Sequence, residues 1–210
     1  MTENQPAKPL RTAVLVSGSG RTLKNFIDLE AAEKLPITIE LVISSQPDVK
    51  GIAHARNASI PTKIITRKDH PGQAFSGAIT AALDEVRPDL ICLAGFIAFW
   101  QIPPHYEGKV MNIHPALLPR FGGKGLYGHH VHEAVLAAGC KVTGVTVHFA
   151  DNQYDHGPII LQRPVPAYDT DTPDTLADRV FEQELIAYPE AIRLFAAGRL
   201  TIQNQIVRIR

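Results

Sequence analysis

Hydrophobic residues along this chain follow two patterns that alternate with each other. Short continuous apolar runs are typical of buried strands, and apolar residues three or four positions apart are typical of helices. The continuous runs predict strands at residues 12–16, 37–43, 61–65, 89–94, 110–113, 142–149 and 159–164. The helical spacing predicts helices at residues 22–32, 51–58, 73–86 and 131–138, and a last one that begins at Thr172-Pro173 and ends at about 197.

The order of these elements predicts the fold class. Strands that alternate with helices imply a parallel sheet with helices on both of its faces. Only a short loop separates the predicted strands at 142–149 and 159–164, which favours antiparallel pairing at that end. We therefore expect an α/β fold with a doubly wound, mostly parallel but mixed sheet.

The length and composition of the chain predict its domain organisation. Residues 1–9 are expected to form a flexible N-terminal tail, and residues 10–210 a single domain. A chain of 210 residues with 45% hydrophobic content is long enough for one sizeable core and short for two. Lys plus Arg and Asp plus Glu number 21 each, so no basic field gathers nucleic acid. Any bound phosphate must therefore be held by a local site.

Cysteine content and hydropathy bear on the compartment. Cys92 lies in an apolar run and Cys140 lies far along the chain, so neither a disulfide framework nor a metal spacing is present. A reducing cytoplasm fits this pattern best. The N-terminus lacks an apolar signal core, and no apolar run approaches the length of a membrane span. We expect a cytoplasmic protein with no membrane partner.

Asn112 and His114 stand two residues apart at the end of the predicted strand 110–113. Side chains at this spacing project from the same face of a strand, and Pro115 then ends the strand ladder. Ligands bind at the carboxyl ends of strands in open α/β sheets. An amide donor beside a group that titrates near neutral pH is suited to acyl transfer. A polar pair that is satisfied by its own neighbours is the alternative.

A glycine-rich loop follows the first predicted strand. Its sequence, Gly18-Ser-Gly20-Arg21-Thr22, precedes a helix, so free backbone N–H groups and the helix dipole can hold a phosphate there. It lacks the third glycine of a dinucleotide fingerprint and the Gly-Lys-Ser/Thr ending of a nucleoside-triphosphate loop. Tight packing of the loop is an equally good interpretation of the residues alone.

Three further polar residues have two interpretations each. Asp155 lies in a loop, 151–157, whose Asp, Asn and Gly content also suits an ordinary turn. Glu184 lies at the edge of a helical apolar stripe, so it either reaches solvent or is buried and needs a partner. His148, on a predicted strand, is either a satisfied structural histidine or part of a site wall.

A histidine cluster, His129-His130-x-His132-Glu133, raises the question of a metal site. The cluster has no His-Glu-x-x-His spacing, and histidines at helical i and i+4 positions are missing. We therefore expect no metal.

Six motifs in order along the chain resemble one protein family. They are Leu93-Ala-Gly-Phe96, Asn112-Ile-His114-Pro, Leu117-Leu-Pro119, Val147-His-Phe149, Asp155-x-Gly-Pro158 and Glu184-x-x-x-Tyr188-Pro189. The chain resembles the folate-dependent formyltransferases, and within them the phosphoribosylglycinamide formyltransferases of purine synthesis. The resemblance spans roughly residues 11 to 200 and implies their Rossmann-like fold.

The resemblance implies a reaction and its site residues. The expected reaction is formyl transfer from 10-formyltetrahydrofolate, the co-substrate, to the glycinamide amine of 5-phosphoribosylglycinamide. In it, the Asn112 amide and a protonated His114 stabilise the oxyanion, and Asp155 keeps His114 charged. The implied substrate contacts are Gly20, Arg21 and Thr22 on the 5-phosphate and Glu184 on the glycinamide ribotide. The implied folate contacts are Ile97, Ala98, Phe99, Trp100, Asp151, Asn152, Gln153 and Tyr154.

The chain departs from this family at several positions. The arginine often seen two residues after Gly-Phe is Ala98, and Gly72 occupies a place where an arginine can contact the folate tail. The span between Phe96 and Asn112 looks shorter, and the segment 121–128 looks longer. These differences affect the expected folate-tail contacts and not the chemistry. The expected partners are small molecules only, and the protein is expected to be a monomer or a homodimer.

Three competing functions share parts of this pattern. Methionyl-tRNA formyltransferases share Asn-x-His, but they usually carry an RNA-binding domain, and this chain has no basic patch. Formyltetrahydrofolate deformylases use water in place of the amine, and Pro115 favours the transferase over them. A binding protein on the same scaffold would have lost Asn112, His114 or Asp155, and all three are present.

Overall fold

The computed structural model describes residues 8–210, so residues 1–7 of the predicted tail lie outside the described residues. The strands are β1 (Leu10–Val16), β2 (Ile37–Ser44), β3 (Thr62–Ile64), β4 (Leu90–Leu93), β5 (Val110–His114), β6 (Val142–Phe149), β7 (Ile159–Pro166), β8 (Leu200–Gln203) and β9 (Ile206–Ile209). The α-helices are α1 (Arg21–Ala31), α2 (Lys50–Asn57), α3 (Gln73–Val86), α4 (His129–Ala137) and α5 (Pro173–Ala196). Each predicted strand and helix is present, with ends shifted by at most two residues.

The main sheet has seven strands in the order β3-β2-β1-β4-β5-β6-β7. Pairing is parallel from β3 to β5, whereas β6 and β7 are antiparallel to their neighbours. The expected mixed, mostly parallel α/β sheet is therefore confirmed. The chain leaves β1 toward one edge and returns at β4 on its other side. The carboxyl ends of β1 and β4 thus form the switch point at which such sheets bind ligands.

The side chains of β1 alternate between the two faces of the sheet. Val14 and Val16 belong to a core shared with α1, α2, α4 and α5. Ala13 and Leu15 belong to a second core, shared with α3 and the segment 100–106. Helices therefore cover both faces, because the strand is buried on each side.

Tyr188 joins α5 to the centre of the sheet. Its ring is fully buried and packs edge-on against Phe26 of α1, with ring centroids 5.0 Å apart. Its hydroxyl donates to the carbonyl oxygen of Met111 at 2.8 Å and lies 3.3 Å from that of Leu93. These contacts place the helix that carries Glu184 against the two strands that lead into the switch point.

A C-terminal hairpin is the one pair of strands that the sequence did not predict. The strands β8 and β9 pair with each other, and Asn204 and Gln205 both adopt positive φ at the turn. Leu200 and Val207 pack on the core, but the other apolar side chains of the hairpin are largely exposed. Asn-Gln is a weak hairpin signal compared with Asn-Gly, which explains the omission. No α-helix within residues 8–210 has the length and apolar character needed to cross a membrane.

Replacing Tyr188 with Phe should lower the free energy of unfolding by about 1–3 kcal/mol, because buried carbonyl groups lose their donor. Urea unfolding followed by circular dichroism measures this change. Tyr168→Phe is the matched control, since the Tyr168 side chain is exposed. Equal stabilities of the Tyr188→Phe variant and the original protein would contradict the structural role of the hydroxyl.

Candidate active site

A cavity of about 770 Å³ opens at the carboxyl ends of β1, β4 and β5. Its lining includes the glycine-rich loop after β1, the segment 93–100 after β4, and residues 112–115 at the end of β5. The rest of the wall is formed by residues 123–129, His132, residues 150, 151 and 153–155, and the first turns of α5. The cavity therefore occupies the switch point of the sheet, where the topology predicts a ligand site.

Asn112 lies in this cavity with both amide hydrogens engaged. Its Nδ2 donates to Nε2 of His148 at 3.1 Å and to Oδ1 of Asp155 at 3.3 Å. The other ring nitrogen of His148, Nδ1, donates to the carbonyl oxygen of Phe149 at 2.8 Å. His148 is buried and also lines the cavity, so it is both a satisfied histidine that orients Asn112 and part of the site wall. A ligand oxygen that accepts from Asn112 must replace one of its two present acceptors.

His114 lies beside Asn112 and is almost completely buried. Its Nε2 donates to the carbonyl oxygen of Phe121 at 2.7 Å. Its Nδ1 lies 3.5 Å from Oδ2 of Asp155. With a proton on Nε2, the neutral ring presents the lone pair of Nδ1 toward the carboxylate, and a second proton taken up at Nδ1 would be stabilised there.

Asp155 is held in place by the loop that follows β5. Its Oδ2 accepts from the backbone N–H of Gly123 at 3.0 Å, and Asp155 itself adopts a positive φ of 52°. A Cβ on Gly122 would lie 2.5 Å from Leu118 Cδ2 and 3.1 Å from Asp155 Cβ. Gly157 is equally constrained, because a Cβ there would lie 1.9 Å from the Phe149 carbonyl oxygen. The glycine of Asp-x-Gly-Pro is thus needed for the turn that presents Asp155.

Burial determines the charge states of this pair. Burial lowers the pKa of His114 below its ordinary value, although the Asp155 carboxylate and the Phe121 carbonyl act in the opposite direction. Burial would raise the pKa of Asp155, but His148, His114 and the Gly123 N–H together bring it below its ordinary value. The expected contact between His114 and Asp155 is present. The Asp155 carboxylate acts, as expected, to raise the proton affinity of His114, but burial outweighs it, so the pKa of His114 lies below its ordinary value.

The geometry of the glycine-rich loop is compatible with both interpretations of its sequence, tight packing and phosphate binding. Gly20 adopts a φ of 66°, and a Cβ there would lie 2.4 Å from Gly51 Cα, so packing against α2 requires a glycine. Gly20 is also the N-cap of α1, and no side chain among the described residues caps this helix. The first N–H groups of α1, on Arg21 and Thr22, therefore lie at the cavity free of a side-chain cap.

Arg21 crosses from the start of α1 to α5. Its guanidinium lies 3.6 Å from the ring centroid of Phe181, and Nη1 lies 3.4 Å from Oδ1 of Asp178. Both of these partners line the cavity as well. The ring holds the positive charge of Arg21 beside the uncapped helix end, where it adds to the attraction for an anion.

Glu184 faces the cavity from α5 and accepts a hydrogen bond from the Thr22 hydroxyl. Burial raises the pKa of Glu184 to about 7, although Thr22 and Arg21 act to lower it. Glu184 is thus half-buried at the cavity wall, where the Thr22 hydroxyl is its partner. Near neutral pH this carboxyl group exchanges between an acceptor and a donor of hydrogen bonds.

Of the eight residues that are predicted to contact the folate, seven line the cavity and one does not. Seven of them lie on its wall: Ile97, Ala98, Phe99, Trp100, Asp151, Gln153 and Tyr154. The rings of Phe99 and Tyr154 face each other with centroids 5.3 Å apart, which joins the two wall segments. Asn152 does not line the cavity, and its role in folate binding stays a prediction. Its side chain instead accepts from the Ile102 N–H at 2.7 Å and donates to the Ile102 carbonyl at 3.0 Å, so it fastens one wall segment to the other.

His132 is a cavity residue that was considered only as a metal ligand. It is buried on α4, and its Nδ1 has no hydrogen-bond partner within residues 8–210. Burial lowers the pKa of His132 to about 4, with His129 and His114 adding to the effect, so the ring is neutral. Within the described part of the chain, no group of three or more His, Cys, Asp or Glu side chains could hold a metal ion. The long segment 121–128 also borders the cavity, and its unusual length was the signal that could have placed it there.

Replacing Glu184 with Gln should change how stability depends on pH. Between pH 4.5, the ordinary pKa of Glu, and about pH 7, the folded protein keeps a proton that the unfolded chain loses. The free energy of unfolding should therefore fall with rising pH through this window, and this part of the fall should be missing in Glu184→Gln.

Urea unfolding at several pH values between 5 and 8 measures the free energy of unfolding of Glu184→Gln and of the original protein. Glu182→Gln is the matched control, because Glu182 lies on the same helix but is exposed. If the free energies of unfolding of Glu184→Gln and the original protein differ by a constant amount over this range, the raised pKa of Glu184 is contradicted.

Comparisons with known proteins show which family the chain resembles. The family model described as formyl transferase matches residues 10–192. The phosphoribosylglycinamide formyltransferase of Escherichia coli is 36% identical over 198 residues, which cover 93% of this chain and 91% of that protein. The trifunctional purine biosynthetic protein adenosine-3 of Gallus gallus is 40% identical over 196 residues. That match covers 92% of this chain, which spans only 19% of the trifunctional protein.

A solved structure extends the similarity to the fold. Glycinamide ribonucleotide transformylase 1 from Symbiobacterium toebii superimposes with a TM-score of 0.91 at 37% identity. The match covers 100% of this chain and 98% of the other. The family model spans well over half of the chain, and the identities lie far above those of proteins that share a fold alone. The chain therefore belongs to the formyl transferase family.

Proposed function

We propose that this protein transfers the formyl group of 10-formyltetrahydrofolate to the glycinamide amine of 5-phosphoribosylglycinamide. The products are formylglycinamide ribonucleotide and tetrahydrofolate, as in de novo purine synthesis. The observation that carries the proposal is the arrangement of one cavity, in which Asn112, His114 and Asp155 lie between an anion-binding helix end and an apolar wall. The names of the relatives from Escherichia coli and Symbiobacterium toebii support the same reaction.

The anion-binding end of the cavity suits the ribonucleotide. The free N–H groups at the start of α1 and the guanidinium of Arg21 bind the 5-phosphate. Glu184 and Thr22 lie next to this end and bind the sugar or glycinamide portion through hydrogen bonds. The amine is thereby directed toward the carboxyl end of β5, where Asn112 and His114 lie.

The opposite wall suits the folate. Ile97 and Phe99 offer apolar surface, and Tyr154 closes the wall from the loop 151–155. Backbone groups of these two segments can bind the polar edge of a pterin while the side chains cover its faces. Bound in this way, the folate places its formyl group next to His114, on the side that faces the ribonucleotide.

The chemistry follows from the hydrogen bonds at the centre of the site. As the amine attacks the formyl carbon, the Asn112 amide exchanges its long contact with Asp155 for the developing oxyanion. Neutral His114 takes up at Nδ1 the proton that the attacking nitrogen loses, and Asp155 stabilises the resulting imidazolium. The imidazolium then donates this proton to N10 of the folate as the bond from the formyl carbon to N10 breaks.

The partners, the oligomeric state and the cellular compartment of the protein stay predictions. The substrates are small molecules, and nothing in the lining of the cavity requires a second chain. The chain is expected to be a monomer or a homodimer, which sedimentation equilibrium measures directly. The free thiols of Cys92 and Cys140 are compatible with the expected reducing compartment.

The direct test mixes the purified protein with 10-formyltetrahydrofolate, with and without 5-phosphoribosylglycinamide, and follows tetrahydrofolate by absorbance. Release of tetrahydrofolate should require the ribonucleotide, because water is not the acceptor. Equal release in its absence would identify a hydrolase and contradict the proposal. No release in either case would show that the acceptor amine or the activity is a different one.

Replacing His114 with Ala should lower kcat by about a hundredfold or more and leave KM for both substrates nearly unchanged, since the ring acts on the proton and the transition state. Steady-state kinetics measure both constants. His105→Ala is the control, because His105 is exposed and pairs with Asp84 away from the cavity. A His114→Ala variant with normal kcat would refute the role of His114.

A further inference from the structure

His132 is a buried polar residue of the active-site cavity that the proposed chemistry does not use. It lies in the first turn of α4, in the cavity wall, and only 4% of its surface is exposed. Its Nδ1 is shielded from solvent and has no hydrogen-bond partner within residues 8–210. Buried polar atoms of native proteins are nearly always paired, so this exception needs a physical reason.

Packing alone does not require a histidine at this position. The neighbouring Val131 and Val135 of α4 are fully buried, and Val135 belongs to the core shared with α1 and α5. An apolar ring in place of His132 could fill the same space without burying an unpaired nitrogen. The histidine therefore lowers stability, and residues that do so in the wall of a cavity are expected at functional sites.

The buried nitrogen determines what the ring offers to a ligand. Burial lowers the pKa of His132 to about 4, with His129 and His114 adding to the effect, so the ring carries one proton. A buried lone pair without a partner is tolerated more often than a buried N–H without an acceptor, so this proton lies on Nε2. Because Nδ1 is inaccessible, a ligand in the cavity meets an uncharged N–H donor at Nε2.

The neighbours of His132 locate this donor within the cavity. Nε2 of His129 lies 2.7 Å from Oδ1 of Asp174, and both side chains are largely exposed, so this pair forms part of the rim. His132 follows His129 by almost one helical turn and lies near enough to His114 for a charge there to act on it. The donor therefore lies between the rim and the proposed reaction centre at the end of β5.

We propose that His132 donates from Nε2 to the carbonyl oxygen of the glycinamide arm and thereby positions the amine beside His114. The inference rests on the proposed function, because it takes the ribonucleotide to bind in this cavity. Arg21 and the start of α1 serve the 5-phosphate, and Thr22 and Glu184 can serve the sugar hydroxyls. The carbonyl is the acceptor that remains. A neutral donor suits it, since a second imidazolium would oppose proton uptake by His114.

His132→Phe removes the donor and keeps a planar ring of similar size. The dissociation constant for 5-phosphoribosylglycinamide, measured by calorimetry without folate, should rise about fivefold, as expected for one neutral hydrogen bond. The dissociation constant for ribose 5-phosphate, which lacks the glycinamide arm, should stay nearly unchanged. His132→Gln places an amide nitrogen near the position of Nε2 and should recover part of the lost affinity.

The stability of the variants separates a role in binding from a structural one. His132→Phe should be at least as stable toward urea as the original protein, because it removes a buried nitrogen that has no partner. His130→Phe is the matched control, since His130 lies on the same helix, is exposed, pairs with Glu133 and does not line the cavity. It should keep the affinities of the original protein for both ligands.

Two results would overturn the inference. One is an unchanged affinity of His132→Phe for the ribonucleotide. The other is an equal loss of affinity for the ribonucleotide and for ribose 5-phosphate together with a lower stability, which would make His132 a structural residue. Either result leaves the proposed function standing if the ribonucleotide-dependent release of tetrahydrofolate is observed. If the original protein does not bind the ribonucleotide, the proposed function and the inference both fail.

Discussion

The largely buried carboxylate of Asp155 is the group on which the rest of the site depends. It lies against the Asn112 amide and the His114 ring, both on β5, and against the Gly123 N–H in the loop that follows β5. A buried charge is tolerated only when such partners surround it. A glycine at 122 leaves room beside Asp155, and a glycine at 157 lets the backbone of the same loop approach the Phe149 carbonyl oxygen.

The sheet topology brings these partners together. Reversal of the strand order beside β1 leaves an open crevice at the ends of β1 and β4, and β5 adds the proposed catalytic pair, Asn112 and His114, next to it. Tyr188 ties α5 to β4 and β5, so Glu184 and the uncapped start of α1 face the same space. The fold thereby places the uncapped start of α1 and an apolar wall on either side of His114.

Most of the fold could be predicted from the sequence, because the strands of a doubly wound sheet are continuous apolar runs and its helices are amphipathic. The hairpin β8–β9 was not predicted, because its apolar side chains are largely exposed and its turn lacks glycine. Spacing on a strand placed Asn112 and His114 in one cavity. Spacing could not show that Asn152 turns to Ile102, or that burial outweighs Asp155 at His114, because both depend on tertiary neighbours.

The central claim is that the formyl carbon passes to the amine of the ribonucleotide within this cavity. The most direct measurement gives the protein 10-formyltetrahydrofolate labelled with 13C in the formyl group, together with ribonucleotide labelled with 15N in the glycinamide amine. Formyl transfer to the amine should give a formamide 13C resonance that is split by the bonded 15N. Appearance of the label as free [13C]formate, with no 13C–15N coupling, would contradict it.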